Sequence, residues 1–485
     1  MYKHEIGTNA RRRSMQTGLA LAIGAAALLA QGAPLLHAQA AGRYDHYEVH
    51  DTDFPSREEY ARRRADVLAR LDTSSAMLLL AAEVRNRSND VDYQYRQRNS
   101  LLYLTGVTEE GAALLLVPRP IRVDGVLTSQ VLFVQPRNAS TEIWTGLLMG
   151  PATAAKITGI PVVLPGSRLH GVVDSALQHI TMLYFDGWPQ GVEHEPLTGA
   201  SFDLEHEGQM QLARGHAHLK VAEAAGILNP MRVIKSPVEI ALMRRAIDIS
   251  IEGHRATMRS ARPGMHEYEL AATMEYQFHR LGSEYPGYPS IVGSGPNSCI
   301  LHYETNRRAA QDGDLVLMDC GAEYHGYSAD VTRTFPISGT FSAEQRAIYD
   351  LVFEAQTAGI DACRPGSDFH SAHRKATEII ASGLKRLGII NDERDYRKYF
   401  MHGTSHFLGL DVHDVGVPGE LQPGMILTVE PGIYIPAGSD CDPKWWNIGV
   451  RIEDDILVTR DAPVNLSGAL ARSASDIEAL VRSGR

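Results

Sequence analysis

Four carboxylates in the second half of the chain each stand at the end of an apolar segment that is typical of a buried strand: Asp319, Asp330, Glu430 and Glu453. Any one of them, taken singly, is best explained as a turn residue or a surface salt bridge. Packed together, however, four carboxylates raise one another's pKa values, and bound divalent cations remove that cost. One such ion leaves the cluster negatively charged and two neutralise it, so the pattern predicts a dinuclear metal site.

An internal repeat gives a reason for two of these carboxylates to meet. His302, Gly313 and Asp319 recur as a second set of residues, each 111 positions later: His413, Gly424 and Glu430. Segments 313–319 and 424–430 are both a turn followed by an apolar strand that ends in a carboxylate. Three matches at one offset predict two related halves that bring their strand ends together on a shared sheet.

Three histidines, His402, His406 and His413, fall within the glycine-containing segment 401–414. A lone histidine is usually structural, and a surface cluster remains an alternative for these three. Carboxylates with one imidazole suit manganese, cobalt, iron or zinc, and no C-x-x-C pair is present to supply thiolates. Two such ions activate a water molecule for attack on a carbonyl and stabilise the oxyanion that forms. The predicted chemistry is therefore metal-assisted hydrolysis.

The same residues lie within a series of longer motifs. These are residues 300–303 (ILHY), 317–321 (LMDCG), 329–335 (ADVTRTF), 402–413, 429–432 (VEPG) and 450–454 (VRIED), with 95–97 (YRQ) and 99–106 upstream. In these motifs the chain closely resembles aminopeptidase P, the Xaa-Pro aminopeptidase branch of the pita-bread metallopeptidases. The resemblance covers nearly the whole chain after residue 40, in the order of the family.

This resemblance implies a ligand set for two divalent ions, usually manganese in the family. Asp330 and Glu453 would bridge the two ions and Asp319 would hold one of them. His406 and Glu430 would complete the other. All five ligand types of the family are present at the matching positions.

The resemblance also implies residues on the substrate side of the site. His302 and His413 match histidines that stabilise the intermediate and contact the proline end of the scissile bond. His402 and Arg451 match further pocket residues, with Arg451 supporting His413. Tyr288 occupies the place of a tyrosine that lies behind the metal ligands.

The function that the resemblance implies is hydrolysis of the bond between an N-terminal residue and a penultimate proline. The partners expected are peptides with proline in second position and further copies of the chain, as a tetramer or dimer. Prolidase, which cleaves Xaa-Pro dipeptides with the same metals, is the nearest alternative, and the N-terminal motifs favour the aminopeptidase. A non-catalytic pita-bread module that only binds peptides, or a metal-free relative such as creatinase, is disfavoured because all five ligands are present.

The elements that must position this site divide into two domains. Apolar runs at residues 76–82, 101–105, 112–117 and 131–134 alternate as short strands with helical stretches, which predicts a creatinase-type α/β domain over residues 41–225. Helix 57–71 has an arginine-rich face, which we expect to be solvated. Ser236 and Glu239, with Pro237 between them, predict a capped helix start within a second domain, 226–485. We expect that domain to be an α+β pita-bread (creatinase/aminopeptidase-like) catalytic domain with an internal pseudo-twofold repeat.

Composition and charge exclude several other classes. The chain has 485 residues, 44% of them hydrophobic and 22% charged, which is typical of a globular enzyme of more than one domain. Its net charge of −11 disfavours binding to nucleic acid or to an anionic membrane surface. Four cysteines are too few for a disulfide scaffold, although Cys299 and Cys320 could pair in an oxidising compartment.

Residues 1–40 have the features of a signal peptide. Arg11, Arg12 and Arg13 precede an apolar run at 17–30, and residues 38–40 (AQA) form a cleavage site. The apolar run is shorter than the roughly 20 residues that span a bilayer, so we expect no stable membrane insertion of the mature chain. The sequence therefore predicts export, to the periplasm of a Gram-negative-type bacterium, with the Sec or twin-arginine route left open.

Overall fold

The computed structural model describes residues 53–186, 216 and 218–485. The predicted signal peptide, residues 1–40, lies outside these residues, as does segment 187–215. Within the described part of the chain, no helix combines the length and apolar character needed to cross a membrane. The predicted domain bounds, 41–225 and 226–485, stay a prediction.

The N-terminal domain is built around a six-stranded mixed sheet in the order β6-β5-β4-β1-β7-β8. Its helices are α1 (Arg57–Arg70), α2 (Asn99–Thr105), α3 (Ala139–Thr145), α4 (Gly150–Thr158), α5 (Leu169–Leu177) and α6 (Ala225–Val233). Its strands are β1 (Ser75–Leu80), β2 (Asn86–Ser88), β3 (Val91–Asp92), β4 (Ala113–Val123), β5 (Val126–Val134), β6 (Val162–Pro165), β7 (Met182–Asp186) and β8 (Lys220–Glu223). Strands β2 and β3 form a separate hairpin.

Two sequence-based expectations for this domain are wrong. The apolar run 101–105 belongs to helix α2 and not to a strand. The arginine-rich face of α1 is partly internal, because Arg63 and Arg64 are each only 1% exposed. Arg63 donates to the carbonyl oxygen of Tyr103 at 3.0 Å, and Arg64 donates to that of Leu104 at 2.8 Å. These carbonyls lie in the last turn of α2, where the helix itself supplies no donors, and the arginines satisfy them.

The second domain contains the helices α7 (Pro237–Ser260), α8 (Glu267–Arg280), α9 (Ala343–Ala362), α10 (Ser371–Arg386) and α11 (Ala474–Arg482). Its strands are β9 (Tyr285–Pro286), β10 (Ile291–Ser294), β11 (Leu315–Asp319), β12 (Ala322–Tyr324), β13 (Tyr327–Ser328), β14 (Thr332–Pro336), β15 (Ile426–Val429), β16 (Gly432–Ile435), β17 (Ile448–Arg451), β18 (Asp454–Leu457) and β19 (Val464–Asn465). Helix α7 begins after Ser236 as predicted, and the Glu239 carboxylate accepts a hydrogen bond from the Ser236 amide at 3.0 Å.

The predicted repeat is visible in the strand pairing. In the first half, β11 pairs antiparallel with β14, and Asp319 lies opposite Thr332. In the second half, β15 pairs antiparallel with β18, and Val429 lies opposite Asp454. The Glu453 amide donates to the Thr332 carbonyl oxygen at 3.1 Å, so the two strand pairs meet directly. The predicted carboxylates stand at this junction.

Candidate metal centre

Asp319 and Asp330 are brought together by the pairing of their strands. Asp319 is the last residue of β11 and Asp330 comes two residues before β14. The Tyr288 hydroxyl oxygen lies 2.6 Å from Asp319 Oδ1 and 2.7 Å from Asp330 Oδ1, within hydrogen-bond distance of both. Tyr288 therefore lies against both carboxylates.

The second half of the repeat adds an imidazole and two more carboxylates. His406 Nε2 lies 3.3 Å from Asp330 Oδ2 and 3.7 Å from Glu430 Oε1. Asp330, His406 and Glu453 each offer one ligand atom, and these three atoms lie within 4.8 Å of one another. The structure thus places Asp330, His406 and Glu453 in a compact group. Asp319 shares Tyr288 with Asp330, and Glu430 lies next to His406.

The electrostatics of this group indicate uncompensated negative charge. Burial raises the pKa of Glu430 to about 7, and the charges of Asp330 and Asp319 contribute in the same direction. Burial and neighbouring carboxylates also raise the pKa of Asp330, and they raise that of Glu453 well above its usual range. Divalent cations would relieve this mutual repulsion, so the donor set fits the predicted ions.

His406 is oriented as a ligand by its other ring nitrogen. Its Nδ1 lies 3.1 Å from the carbonyl oxygen of Phe407, which directs Nε2 towards Asp330. Burial by itself would lower the pKa of His406, but the hydrogen bond to Asp330 and the nearby carboxylates raise it to about 9.

Arg451 connects the two sides of the site. Its Nη2 donates to Asp319 Oδ2 at 2.6 Å, Nη1 to the Tyr434 hydroxyl at 2.9 Å and Nε to Thr332 Oγ1 at 3.2 Å. Thr332 in turn donates to Glu453 Oε2 at 2.6 Å. These hydrogen bonds connect Arg451 to the carboxylates, and its support of His413 stays a prediction.

The three substrate-side histidines line the same site. Nε2 of His402 lies 2.9 Å from the Tyr434 hydroxyl, and burial, with the charge of Arg451, lowers the pKa of His402 to about 4. The ring of His413 lies 4.1 Å from that of His406 between centroids. Partial burial lowers the pKa of His413 to about 4, and the charges of His406 and His302 add to this effect. His302 is exposed.

The sequence motifs predict no role for Tyr434, Thr332 or Asp455, which also belong to the site. Tyr434 joins His402 to Arg451, and a Cβ at Gly432 would lie only 2.3 Å from its hydroxyl oxygen. Thr332 lies inside the motif 329–335 and donates to Glu453, a contact that the motif alone does not predict. Asp455 is fully buried, and its Oδ2 accepts the Asp330 amide at 3.2 Å. The run of three acidic residues that begins at Glu453 was the available signal for Asp455.

Comparison with known proteins agrees with this geometry. Residues 241–460 match the family model of metallopeptidase family M24, and residues 60–184 match that of the aminopeptidase P N-terminal domain. The chain is 38% identical over 442 residues to an Xaa-Pro aminopeptidase of Escherichia coli, which covers 89% of this chain and 99% of the relative. It is 37% identical to an Xaa-Pro aminopeptidase of Haemophilus influenzae, with 88% and 97% covered.

Solved structures give the same result. Aminopeptidase PepP of Pseudomonas aeruginosa superposes with a TM-score of 0.81 at 36% identity, covering 89% of this chain and 99% of that one. Aminopeptidase P of E. coli with the inhibitor Pro-Leu superposes with a TM-score of 0.79 at 38% identity, again over 89% and 99%. The predicted α/β N-terminal domain with a pita-bread catalytic domain is confirmed. The chain belongs to the aminopeptidase P family of M24 metallopeptidases.

Proposed function

We propose that this protein is a dinuclear metal-dependent aminopeptidase that hydrolyses the bond between an N-terminal residue and a penultimate proline. The observation that carries the proposal is the meeting of metal-ligand side chains from both halves of the repeat at one junction. Relatives named Xaa-Pro aminopeptidase, matched over 97% or more of their length, supply the substrate class.

Two divalent cations would be held by the five predicted ligands. In keeping with the family resemblance, these residues would be Asp319, Asp330, His406, Glu430 and Glu453. We propose manganese as the native metal, because the family resemblance implies it. Cobalt, zinc and iron are alternatives, because oxygen donors with a single imidazole suit all four metals. When bound, the ions would supply Lewis acidity at the scissile carbonyl.

The histidines would orient the peptide and stabilise the negative charge that develops on its carbonyl oxygen. His402 and His413 are neutral near pH 7, because their pKa values are lowered to about 4. A neutral imidazole donates one N–H, which suits a developing oxyanion. We assign this contact to His413 and to the exposed His302, and we assign a supporting place in the pocket to His402.

A carboxylate must accept the proton that the attacking water molecule releases. We assign this role to Glu453, because it is a buried carboxylate at the junction of the two halves, close to Asp330 and His406. The hydrogen bond from Thr332 to Oε2 fixes the rotation of this carboxylate. Arg451 donates to Thr332 and Asp319 and so holds both sides of the junction in place.

We further propose that the protein is exported to the periplasm and that it forms a homo-oligomer, a tetramer or a dimer. The arginines, apolar run and AQA site within residues 1–40 support export. The family resemblance supports oligomerisation. Fractionation of cells that express the full chain tests export, and light scattering of the purified protein measures the mass of the assembly.

The test of the proposed activity is turnover of a Xaa-Pro-Yaa tripeptide, a Xaa-Pro dipeptide and a Xaa-Ala-Yaa tripeptide with manganese added. We expect the first to be cleaved fastest. Strong preference for the dipeptide would identify a prolidase, and turnover of none would identify a peptide-binding module. The Glu430→Ala variant should lose both bound metal and hydrolysis, and survival of both would contradict the catalytic interpretation.

A further inference from the structure

The segment from His406 to Asp414, here named the histidine segment, carries one predicted metal ligand and one predicted substrate-side histidine. Its His406 end is fixed to the catalytic sheet, because the Thr428 amide in β15 donates to the His406 carbonyl oxygen at 3.0 Å. The Asp414 amide closes the segment by donating to the Phe407 carbonyl oxygen at 2.8 Å. Between these two ends, the residues that lead to His413 are held by contacts with other parts of the protein.

One of those contacts comes from the N-terminal domain. Arg96 Nη2 donates to the carbonyl oxygen of Leu410, in the middle of the histidine segment, at 2.7 Å. Its Nε donates to Glu323 Oε2 at 2.7 Å, and Nη2 also lies 3.2 Å from the Gly326 carbonyl oxygen. Glu323 and Gly326 belong to the β12–β13 hairpin. The planar guanidinium thus binds a carboxylate and two carbonyls at once, a geometry that a lysine ammonium does not reproduce.

The hairpin itself touches the same segment. The Ser328 amide in β13 donates to the Gly409 carbonyl oxygen at 2.8 Å. Arg96 and the hairpin therefore hold adjacent carbonyls of the segment, those of Gly409 and Leu410. Asn99, at the start of α2, accepts from Arg96 Nη1 at 2.9 Å and fixes the arginine on its own domain.

Arg232 in α6, and Lys235 just after that helix, hold the far end of the segment. Lys235 Nζ donates to Asp414 Oδ2 at 2.9 Å, and both side chains are 1% exposed. Arg232 Nη2 donates to Asp414 Oδ1 at 2.5 Å and to Asp411 Oδ2 at 2.9 Å. A Cβ at Gly409 would lie 2.1 Å from Asp414 Oδ2, so a glycine is required for this close packing. His413 lies between these two anchored aspartates.

We propose that Arg96 is a positioning residue through which the N-terminal domain sets the place of His413 for catalysis. The hydrogen bonds of Arg96 reach neither the predicted metal ligands nor the predicted substrate-side histidines. Arg96 acts instead through the carbonyl group of Leu410. The predicted ligand His406 is held separately by β15, so loss of Arg96 should displace His413 and leave metal binding intact. The expected change in kcat rests on the proposed function, whereas the expected change in hydrogen exchange does not.

The test compares Arg96→Ala and Arg96→Lys with wild type, and uses Arg119→Ala, an exposed arginine on β4 of the same domain, as a matched control. We expect both Arg96 variants to lower kcat on a Xaa-Pro-Yaa tripeptide by about tenfold to a hundredfold, with unchanged manganese content. Amide hydrogen exchange of residues 407–414 should become about tenfold faster in both. Arg119→Ala should match wild type in all three measurements.

A double-mutant cycle separates positioning from general damage. If Arg96 acts through His413, then Arg96→Ala should cause no further loss of kcat in a His413→Ala background. Additive losses, unchanged kcat in the single variants, or a fall in kcat that follows a fall in manganese content would overturn the proposal. If the wild-type protein hydrolyses none of the peptides, the proposed function is wrong. The hydrogen exchange of residues 407–414 then tests the positioning role of Arg96 by itself, and unchanged exchange in the Arg96 variants would overturn it. If Arg96→Ala does not fold, Arg96→Lys serves for every comparison.

Discussion

A buried ion pair behind the metal centre connects the two halves of the repeat, and its removal should be costly. Arg333 Nη2 in β14 lies 2.7 Å from Asp454 Oδ1 in β18, and both side chains are 0% exposed. Arg333 Nη1 also donates to the carbonyl oxygen of Glu453, a predicted bridging ligand, at 2.6 Å. The pair therefore supports the junction at which the carboxylates meet.

The Asp454 carboxylate has several further partners. It accepts from the Ser467 hydroxyl at 2.6 Å and from Gln356 Nε2 at 2.9 Å, and Arg472 Nε lies 3.6 Å away. Burial by itself would raise the pKa of Asp454, but the charges of Arg333 and Arg472 more than offset it and the pKa is lowered. The carboxylate is thus ionised at neutral pH, and its loss leaves the guanidinium of Arg333 without a counter-charge.

We predict that Asp454→Ala destabilises the protein by about 3–5 kcal/mol, the cost of leaving one partner of a buried pair uncompensated. Since each kcal/mol shifts the Tm of a domain of this size by about 2–4 °C, the Tm measured by scanning calorimetry should fall by roughly 6–20 °C. The double variant Arg333→Met with Asp454→Leu should lose less than the sum of its single variants, because it leaves no isolated charge.

The matched control is the exposed pair between Arg346 and Asp350 on α9, whose atoms are 2.8 Å apart. Asp350→Ala should change stability by less than about 1 kcal/mol, because exposed pairs contribute little. A Tm for Asp454→Ala that falls no further than that of Asp350→Ala would refute the reasoning about the buried pair.

Three further outcomes follow from the structure. Removal of divalent ions with a chelator should abolish hydrolysis, and added manganese should restore it. Activity that persists without metal would contradict the proposal that hydrolysis depends on metal ions. Arg451→Lys should lower kcat about a hundredfold, because an ammonium cannot reproduce the three hydrogen bonds to Asp319, Tyr434 and Thr332 at once. A kcat within twofold of wild type would contradict this positioning role. The pKa of His325 is raised, because hydrogen bonds with Glu284 and Asp53 outweigh the effect of burial. Its stabilising effect should therefore be present below the unfolded pKa of about 6.5 and be lost as pH rises through the folded pKa. The Tm difference between wild type and His325→Asn should therefore shrink as the pH rises above about 6.5. A difference that grows with pH would contradict this sign.

The part of the site that follows local patterns could be predicted from sequence. The composition of the apolar segments predicted the strands. The constant offset of 111 residues between Asp319 and Glu430 predicted that their two strand ends are equivalent. The helix that begins after Ser236 was predicted correctly because its capping residues act over three positions. The assignment of bridging roles to Asp330 and Glu453 came from resemblance and stays a prediction.

The remaining features depend on contacts between distant residues. Arg63 and Arg64 look like a solvated helix face until the carbonyls of α2 are placed beside them. Run 101–105 is too short for periodicity to separate a helix from a strand, and packing against α1 decided it. Tyr434 became part of the site only because β16 places its hydroxyl between His402 and Arg451.

The dinuclear metal site is tested most directly by the metal content of the purified protein, loaded with manganese and freed of excess ion. We predict two ions per chain in wild type and the loss of bound metal, together with hydrolysis of a Xaa-Pro-Yaa peptide, in Asp330→Ala. Wild-type protein that hydrolyses the peptide at full rate with one ion or none per chain would contradict the account, as would Asp330→Ala that retains both ions.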